Sequence, residues 1–225
     1  SYIFNEGSLA LSESPVVQGN KNGIGNDNDV YMKRDKTITV EGAFNNSAKI
    51  GVMCEDSHQV FTNGYGTFNS EDPGKYFFGN PNDNQKDILI RTQSTDTGTE
   101  AQCVVVIHYI DEHGAEQKCV EYADVASDSW GEWGTTSWYA VRRDTTIDEN
   151  IGVRGDVHLI LVRGKTLRTE EINVRRNDDD AETRAVFNVY NSTGDSDTGA
   201  MGHLIADGTD SSSAGIGFKA NSGGV

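Results

Sequence analysis

Residues 145–174, TTIDENIGVRGDVHLILVRGKTLRTEEINV, decide the fold and open a segment that continues to Ala206. Short apolar groups recur there at spacings of 20 or 21 residues, in the pairs Ile147 and Leu167, Ile151 and Ile172, and Val153 and Val174. The apolar stripe of an α-helix repeats every three or four residues, so a helix does not produce this spacing. A coil of short parallel strands produces this spacing, because each turn of the coil places similar residues above one another and the stack buries a continuous core. The sequence therefore predicts an all-β chain organised around a right-handed parallel β-helix.

The composition fits a turn-rich β protein and argues against several partners. The 225 residues include 25 Gly and only 3 Pro, and Gly tolerates the left-handed corners that short strands need. Asp and Glu number 35 against 19 Lys and Arg, which gives a formal net charge of −16. Nucleic acid and anionic membrane surfaces repel such a chain, and the sequence contains no run of eighteen apolar residues. We therefore expect no nucleic-acid partner and no membrane partner.

The chain divides into three predicted parts. These are terminal β-helix rungs with an aromatic cap in 1–101, a β-hairpin and Trp-rich linker in 102–140, and the first rungs of a β-helix in 141–225. In the first part, Ile38 and Val40 return twelve residues later as Ile50 and Val52, a tighter repeat that suits a narrowing end. Aromatic residues then cluster among Gly, Asn and Asp, at Phe61, Tyr65, Phe68, Tyr76, Phe77 and Phe78. We interpret them as a cap over the open end of the coil, with a sugar-binding platform as the alternative.

The linker contains two of the three cysteines. Cys103 and Cys119 flank the turn 111–114 (DEHG) and lie on two runs of β character, which predicts a hairpin. A cross-strand disulfide and two buried thiols are the alternatives, because the register is not fixed by the sequence. Cys54 is expected to pack as a small apolar residue. The cysteine spacing does not match a structural zinc site.

The linker also holds all three tryptophans. Trp138 begins a run of strand character, whereas Trp130 and Trp133 lie among Gly, Ser, Glu and Asp. Packing of the linker on the first rung is one explanation. The other is that Trp130 and Trp133 form an exposed interaction surface, since exposed Trp is where a ligand or partner docks.

Few other segments carry chemistry. The charged segment 175–180 (RRNDDD) is the candidate for polysaccharide cleavage, and a solvated loop is the alternative. Segments 26–29 (NDND) and 207–210 (DGTD) offer oxygen ligands for Ca²⁺, although turn formation alone explains them. Residues 154–156 form an RGD tripeptide whose Gly and Asp are accounted for by a turn. We therefore assign no catalytic, cofactor-binding or metal residues.

Several of these segments carry a resemblance to a known family. Four segments resemble the start of the repeat module that defines this family: 145–148 (TTID), 155–161 (GDVHLIL), 164–167 (GKTL) and 214–217 (AGIG). Five segments resemble the last rungs and cap of such a module: 8–12 (SLALS), 14–17 (SPVV), 30–32 (VYM), 36–40 (KTITV) and 61–66 (FTNGYG). Segments 111–114 and 138–141 (WYAV) resemble the connection between two modules. The family consists of right-handed β-helix repeat modules in large secreted and cell-surface proteins of anaerobic Gram-positive bacteria. It implies the fold and an extracellular setting, and no settled activity.

The order of these segments leads to a functional expectation. The chain begins with what resembles the end of a module and stops inside what resembles a beginning, so we expect an excised or processed piece. Open β-helix ends expose unpaired N–H and C=O groups. We predict a non-enzymatic extracellular structural or adhesive protein that either joins neighbouring modules of its own chain or polymerises head to tail into a filament, with a glycan or host surface as a further ligand. A carbohydrate-active β-helix enzyme, either a polysaccharide lyase or a glycoside hydrolase, is the alternative.

Overall fold

The structure, a computed structural model, is nearly all β. It describes residues 8–21, 29–80, 87–175, 177, 183–193, 200–208 and 215–219. Strands make up 56% of the described residues and helices 4%, which confirms the all-β prediction. The chain forms two compact units, Ser1–Val106 and Ile107–Val225. The division of the chain at residues 101 and 140 stays a prediction.

Unit 1 contains short strands, one turn of α-helix and one turn of 3₁₀ helix. Its elements are β1 (Leu9–Glu13), β2 (Val16–Val17), β3 (Val30–Met32), β4 (Ile38–Phe44), β5 (Lys49–Cys54), β6 (Gln59–Val60), β7 (Thr62–Asn63), α1 (Tyr65–Phe68), the 3₁₀ helix Pro73–Lys75, β8 (Phe77–Gly79), β9 (Asp87–Thr95) and most of β10 (Gly98–Ile110).

Two parallel sheets and one antiparallel sheet build unit 1. Strand β4 lies between β1 and β7, and β5 lies between β8 on one side and β2 with β3 on the other, all in parallel. Strand β10 pairs antiparallel with β9 and with β6. The register joins Ile38 to Leu9 and Ile50 to Val17, so inward-facing apolar residues stack on one another.

The aromatic block of unit 1 lies in its core. Phe61, Tyr65, Tyr76 and Phe77 are buried, and the rings of Phe61 and Phe77 meet edge to face at a centroid distance of 5.1 Å. These four residues therefore present no sugar-binding platform. Only Phe68 and Phe78, of the six aromatic residues grouped by the sequence, keep exposed side chains.

Unit 2 begins with the end of β10 and contains the remaining strands. They are β11 (Glu116–Cys119), β12 (Ala123–Asp124), β13 (Ser129–Trp130), β14 (Thr136–Val141), β15 (Thr145–Ile147), β16 (Ile151–Val153), β17 (Asp156–Leu161), β18 (Thr166–Thr169), β19 (Ile172–Arg175), β20 (Val186–Asn191), β21 (His203–Ala206) and β22 (Ile216–Lys219). Strands β10 and β11 form the predicted antiparallel hairpin, with Ile107 opposite Cys119.

Three parallel sheets form the body of unit 2. Their strand orders are β12-β14-β17-β20, β15-β18-β21 and β13-β16-β19-β22. The chain passes through the three sheets in the same order three times, and each passage is termed a tier: β14 to β16, β17 to β19 and β20 to β22. Alternation along each strand points one set of side chains into a shared core, which includes Val157, Leu159, Leu167 and Ile172.

The register confirms two of the three predicted apolar pairs. Ile151 lies opposite Ile172, and Val153 lies opposite Val174. The third pair is wrong by two residues, because Leu167 lies opposite Thr145 and Ile147 lies opposite Thr169. The cause is the turn after β17, which is longer than the turn after β14 and bends at Gly164 with φ 69°. A shift of two residues keeps the same face inward, so the burial pattern survives.

Candidate functional site

The last tier of unit 2 leaves one edge of each sheet without a strand. In the described part of the chain, no strand pairs with the outer edge of β20, β21 or β22. We call these three strands the terminal edge. A strand edge presents N–H and C=O groups that are ready to bond another strand.

Side-chain exposure changes abruptly at the terminal edge. Ile151, Ile172 and Ile216 occupy equivalent positions in successive tiers, and their exposed fractions are 0%, 0% and 50%. Leu159 and Val189 are likewise equivalent residues of successive tiers, and their exposed fractions are 0% and 42%. Each earlier residue is covered by the next tier, whereas within the described residues the last has a neighbouring tier on one side only. The terminal edge is therefore a cross-section of the apolar core.

The terminal edge has few of the features that protect free strands. Natural sheets blunt their edges with Lys, Pro or inward-pointing charges. Strand β20 (VFNVYN) contains no charged residue, β21 (HLIA) contains only His203, and β22 (IGFK) contains only Lys219. None of the three strands contains Pro. The sequence at this edge is thus suited to pairing with another strand.

The first strands of unit 1 form a second open edge. Strands β1, β2 and β3 each pair on one side only within the described residues, and we call them the opening edge. Leu9 is only partly buried although its partner Ile38 has no exposed surface. Val17 is likewise partly buried on a fully buried Ile50. Both edges are formed by parallel strands. Inward side chains are partly exposed on β1 and β2 of the opening edge, whereas Val30 and Met32 of β3 have no exposed surface.

A second cluster lies on the outward face of β14, β17 and β20. The ring of His158 stacks on Trp138 with centroids 4.2 Å apart and on Tyr190 with centroids 5.7 Å apart. Its Nδ1 atom lies 3.0 Å from the Tyr190 hydroxyl, and its Nε2 atom lies 3.1 Å from Oδ2 of Asp156. The group therefore combines a carboxylate, an imidazole and a phenol in one hydrogen-bonded chain.

The chemistry of this cluster favours a structural role. Burial, reinforced by the negative charge of Glu112, raises the pKa of Tyr190, so its phenol stays protonated and able to donate to Nδ1. Nε2 then donates to the Asp156 carboxylate, and both ring nitrogens of His158 are in use. The cluster joins three strands by stacking and hydrogen bonds.

The structure corrects the expectation that Trp130 is exposed. Trp130 has no exposed surface, its indole N–H donates to the Ser127 carbonyl at 2.8 Å, and its ring stacks on Tyr139. It is a core residue of unit 2 and is not available to a ligand. Trp133 is partly exposed and packs against the same core. An interaction role for Trp133 stays a prediction.

The cysteines also differ from one of the two expectations. All three are free and buried. Cys119 lies opposite Ile107, whereas Cys103 lies opposite Gln59 and Ile90. The register therefore rules out the cross-strand disulfide between Cys103 and Cys119 and leaves two buried thiols. Cys54 packs in the core of unit 1, as expected.

The remaining sequence candidates are only partly described. Of the RGD tripeptide, Asp156 accepts hydrogen bonds from Thr136 and Asn188 besides its contact with His158, so its carboxylate is occupied. Residues 176, 178–180, 26–28 and 209–210 lie outside the described part, so the charged-loop and calcium candidates stay predictions. Among the described residues, no group of three His, Cys, Asp or Glu is placed to hold a metal ion.

Comparison with known proteins adds no relative. No protein family, curated protein or solved structure matches the chain. Among the described residues, no helix is long and apolar enough to cross a membrane.

Proposed function

We propose that this chain is a non-enzymatic, extracellular structural protein whose strands form right-handed parallel β-helix rungs and whose copies join head to tail. The observation that carries the proposal is the bare terminal edge, where Ile216 and Val189 are half exposed although their equivalents one tier earlier are fully buried. A further tier supplied by a second copy would cover both residues and pair the free backbone groups.

The natural partner for the terminal edge is the opening edge of another copy. Parallel strands stack on parallel strands, so β20 to β22 of one molecule would meet β1 to β3 of the next. Such a contact uses two different surfaces, so each copy keeps one free edge and the assembly grows into a filament wherever the rotation between copies does not close a ring. Adhesive function would follow from the length of the filament and needs no enzymatic site.

The extracellular setting and the family rest on the sequence resemblance. The acidic surface is compatible with it, because a net charge of −16 keeps single copies apart until salt screens their repulsion. A polysaccharide-cleaving enzyme is the alternative function.

Assembly is tested with the purified full chain. Sedimentation velocity and negative-stain microscopy are recorded over a concentration series at physiological ionic strength. We expect the mass to grow with concentration and unbranched fibres to form. A species that stays at 24.5 kDa at the highest soluble concentration would overturn the proposal. Incubation with pectin, alginate and host glycans should release no new reducing or unsaturated ends.

A further inference from the structure

Asn173 is a buried amide of unit 2 that bonds to no other side chain or carbonyl. It lies in β19 and is 6% exposed, and within the described residues its side chain forms no hydrogen bond. Ile172 and Val174 point into the core, so the amide between them points to the outward face of the sheet. Thr169, the other buried polar residue described in unit 2, donates to the Glu149 carbonyl at 2.9 Å. A buried amide without a partner lowers stability, which makes Asn173 an exception that calls for a ligand.

The residues opposite Asn173 on both neighbouring strands are glycines. The register places Gly152 of β16 on one side and Gly217 of β22 on the other. Glycine in a strand allows another group to approach the backbone closely. On the Gly152 side this group is a guanidinium, because Nε and Nη2 of Arg175 lie 3.0 and 3.1 Å from the point where a Cβ atom of residue 152 would be. The Arg175 guanidinium therefore lies over the residue directly opposite the unpaired amide.

Two arginines lie at the end of this outward face. Arg154 follows Val153 and Arg175 follows Val174, and the two valines lie opposite each other in the register of β16 on β19. Both arginines are exposed, and neither guanidinium forms a hydrogen bond or an ion pair within the described part of the chain. Like charges on neighbouring strands destabilise a sheet. An anion bound by both guanidinium groups would remove this cost and would satisfy their N–H donors.

We propose that the outward face of β16 and β19 binds an acidic sugar, whose carboxylate lies on Arg154 and Arg175 and whose neighbouring hydroxyl bonds to Asn173. A carboxylate matches the planar fork of a guanidinium. A simple anion only accepts hydrogen bonds, so it would leave the carbonyl oxygen of the amide unpaired. A uronic acid carries hydroxyl groups beside its carboxylate, and these donate to that oxygen and accept from the amide NH₂. The site uses side chains of an outward face and no strand edge, so it is independent of head-to-tail assembly.

The test titrates the full chain with D-glucuronate at protein concentrations where sedimentation shows single copies. Glucose, the methyl ester of glucuronate and sulfate are titrated in parallel by NMR. The first two keep the hydroxyl groups without the charge, and sulfate carries the charge without the hydroxyl groups. We expect glucuronate to bind at least about 10-fold more tightly than each of them and to shift the side-chain amide signal of Asn173. Equal affinity for glucose or the ester would exclude the arginines, and equal affinity for sulfate would exclude recognition of a sugar. Either result would overturn the proposal.

Three variants locate the site. Arg175→Gln should weaken glucuronate binding at least about 10-fold, because a charge-assisted pair is lost. Asn173→Leu should weaken it roughly 5-fold without lowering the melting temperature, because the free protein has no hydrogen bond to lose there. Arg168→Gln is the matched control, since it removes the same charge from a guanidinium that is already paired with Asp207 at 2.6 Å.

The control variant should bind glucuronate as tightly as the original chain. Equal loss of affinity in Arg168→Gln and Arg175→Gln would show that net charge, and not the site, controls binding, and would overturn the proposal. A lower melting temperature of Asn173→Leu with unchanged affinity would do the same, because the amide would then be structural. If a variant does not fold, the ligand series on the unaltered chain decides the matter.

Discussion

Val189→Lys is the sharpest perturbation of the proposed assembly. Val189 lies on β20 and points inward, since its register partner is the fully buried Leu159. In the isolated chain its side chain is 42% exposed, so a lysine there can extend into solvent with little effect on the fold. In a filament the same position would be covered by the next copy, and the lysine would become part of an apolar core.

The size of the effect follows from burial. Burying a whole valine side chain contributes about 2 kcal/mol, so covering the exposed part of Val189 contributes about 1 kcal/mol to each contact between copies. The lysine forfeits this and adds the cost of desolvating an ammonium group, which is at least about 2 kcal/mol. A total of about 3 kcal/mol corresponds to a rise of roughly 100-fold in the concentration needed for assembly.

Val186→Lys is the matched control. Val186 lies on the same strand and is 50% exposed, but it points outward, opposite Asp156. Both variants change the net charge by the same amount. The fraction of protein that pellets on ultracentrifugation is measured over a concentration series for both variants and for the original chain. We expect Val186→Lys to assemble at nearly the original concentration.

Two results would refute this reasoning. Equal inhibition by both substitutions would show that charge, and not the inward position, controls association. Assembly of Val189→Lys at the original concentration would show that the terminal edge is not the contact. Circular dichroism of both variants must match that of the original chain, because an unfolded variant would also fail to pellet.

The remaining predictions concern three substitutions in unit 1. The stability of each variant is measured by urea unfolding, and hydrogen exchange shows which unit is affected. Gly51→Ala should destabilise unit 1 by about 3 kcal/mol, because a Cβ atom there would lie 2.1 Å from Oδ2 of Asp29. Burial opposes ionisation of Asp29, but hydrogen bonds from Asn80 and Asn20 outweigh it and lower its pKa. Its stabilising contribution is therefore present above the unfolded pKa of about 3.9 and should be lost as the pH falls below that value, and Asp29→Asn should lack this pH dependence. Glu100→Gln should cost about 2 kcal/mol, because Glu100 accepts three hydrogen bonds, from the Thr62 hydroxyl and from the backbone N–H groups of residues 64 and 65, and an amide NH₂ would oppose at least one donor.

All three tryptophans provide an internal control for these unit 1 variants. They lie at positions 130, 133 and 138, in unit 2, so their fluorescence reports on that unit. It should be unchanged under native conditions in each variant. Unaltered hydrogen exchange in unit 1 of Gly51→Ala would contradict the clash, and an acid transition in Asp29→Asn as steep as in the original chain would contradict the role of the carboxylate.

The sequence predicted the parallel stacking of strands in unit 2 wherever inward-facing apolar residues recur at the same positions of successive strands. Ile151 and Ile172 are inward residues of equivalent strands, so their spacing of 21 is the length of one passage through the three sheets. Ile147 and Leu167 look like the same signal, but the turn at Gly164 adds residues that no apolar pattern reveals. The spacing of apolar residues therefore predicts that two strands stack in parallel more reliably than it predicts which residues of the two strands lie opposite each other.

Contacts between distant strands explain what the sequence did not reveal. Trp130 is surrounded by polar residues along the chain, yet it enters the core because Gly131, at φ 71°, turns the chain immediately after it. The spacing of 20 between Trp138 and His158 equals the register of β14 on β17, so this stack becomes visible once that register is known.

The distribution of charge is compatible with the proposed pairing of the two edges. More than a fifth of the chain is charged, and the acidic residues outnumber the basic ones by 35 to 19. A sheet that only needed to stay monomeric would place some of these charges on its free strands, where they cost little and prevent pairing. Instead β20 carries none, while its inward Val189 and the inward Ile216 of β22 stay half exposed. Repulsion between acidic copies is screened within about 8 Å at physiological ionic strength, so it does not prevent two edges that carry few charges from meeting at contact distance.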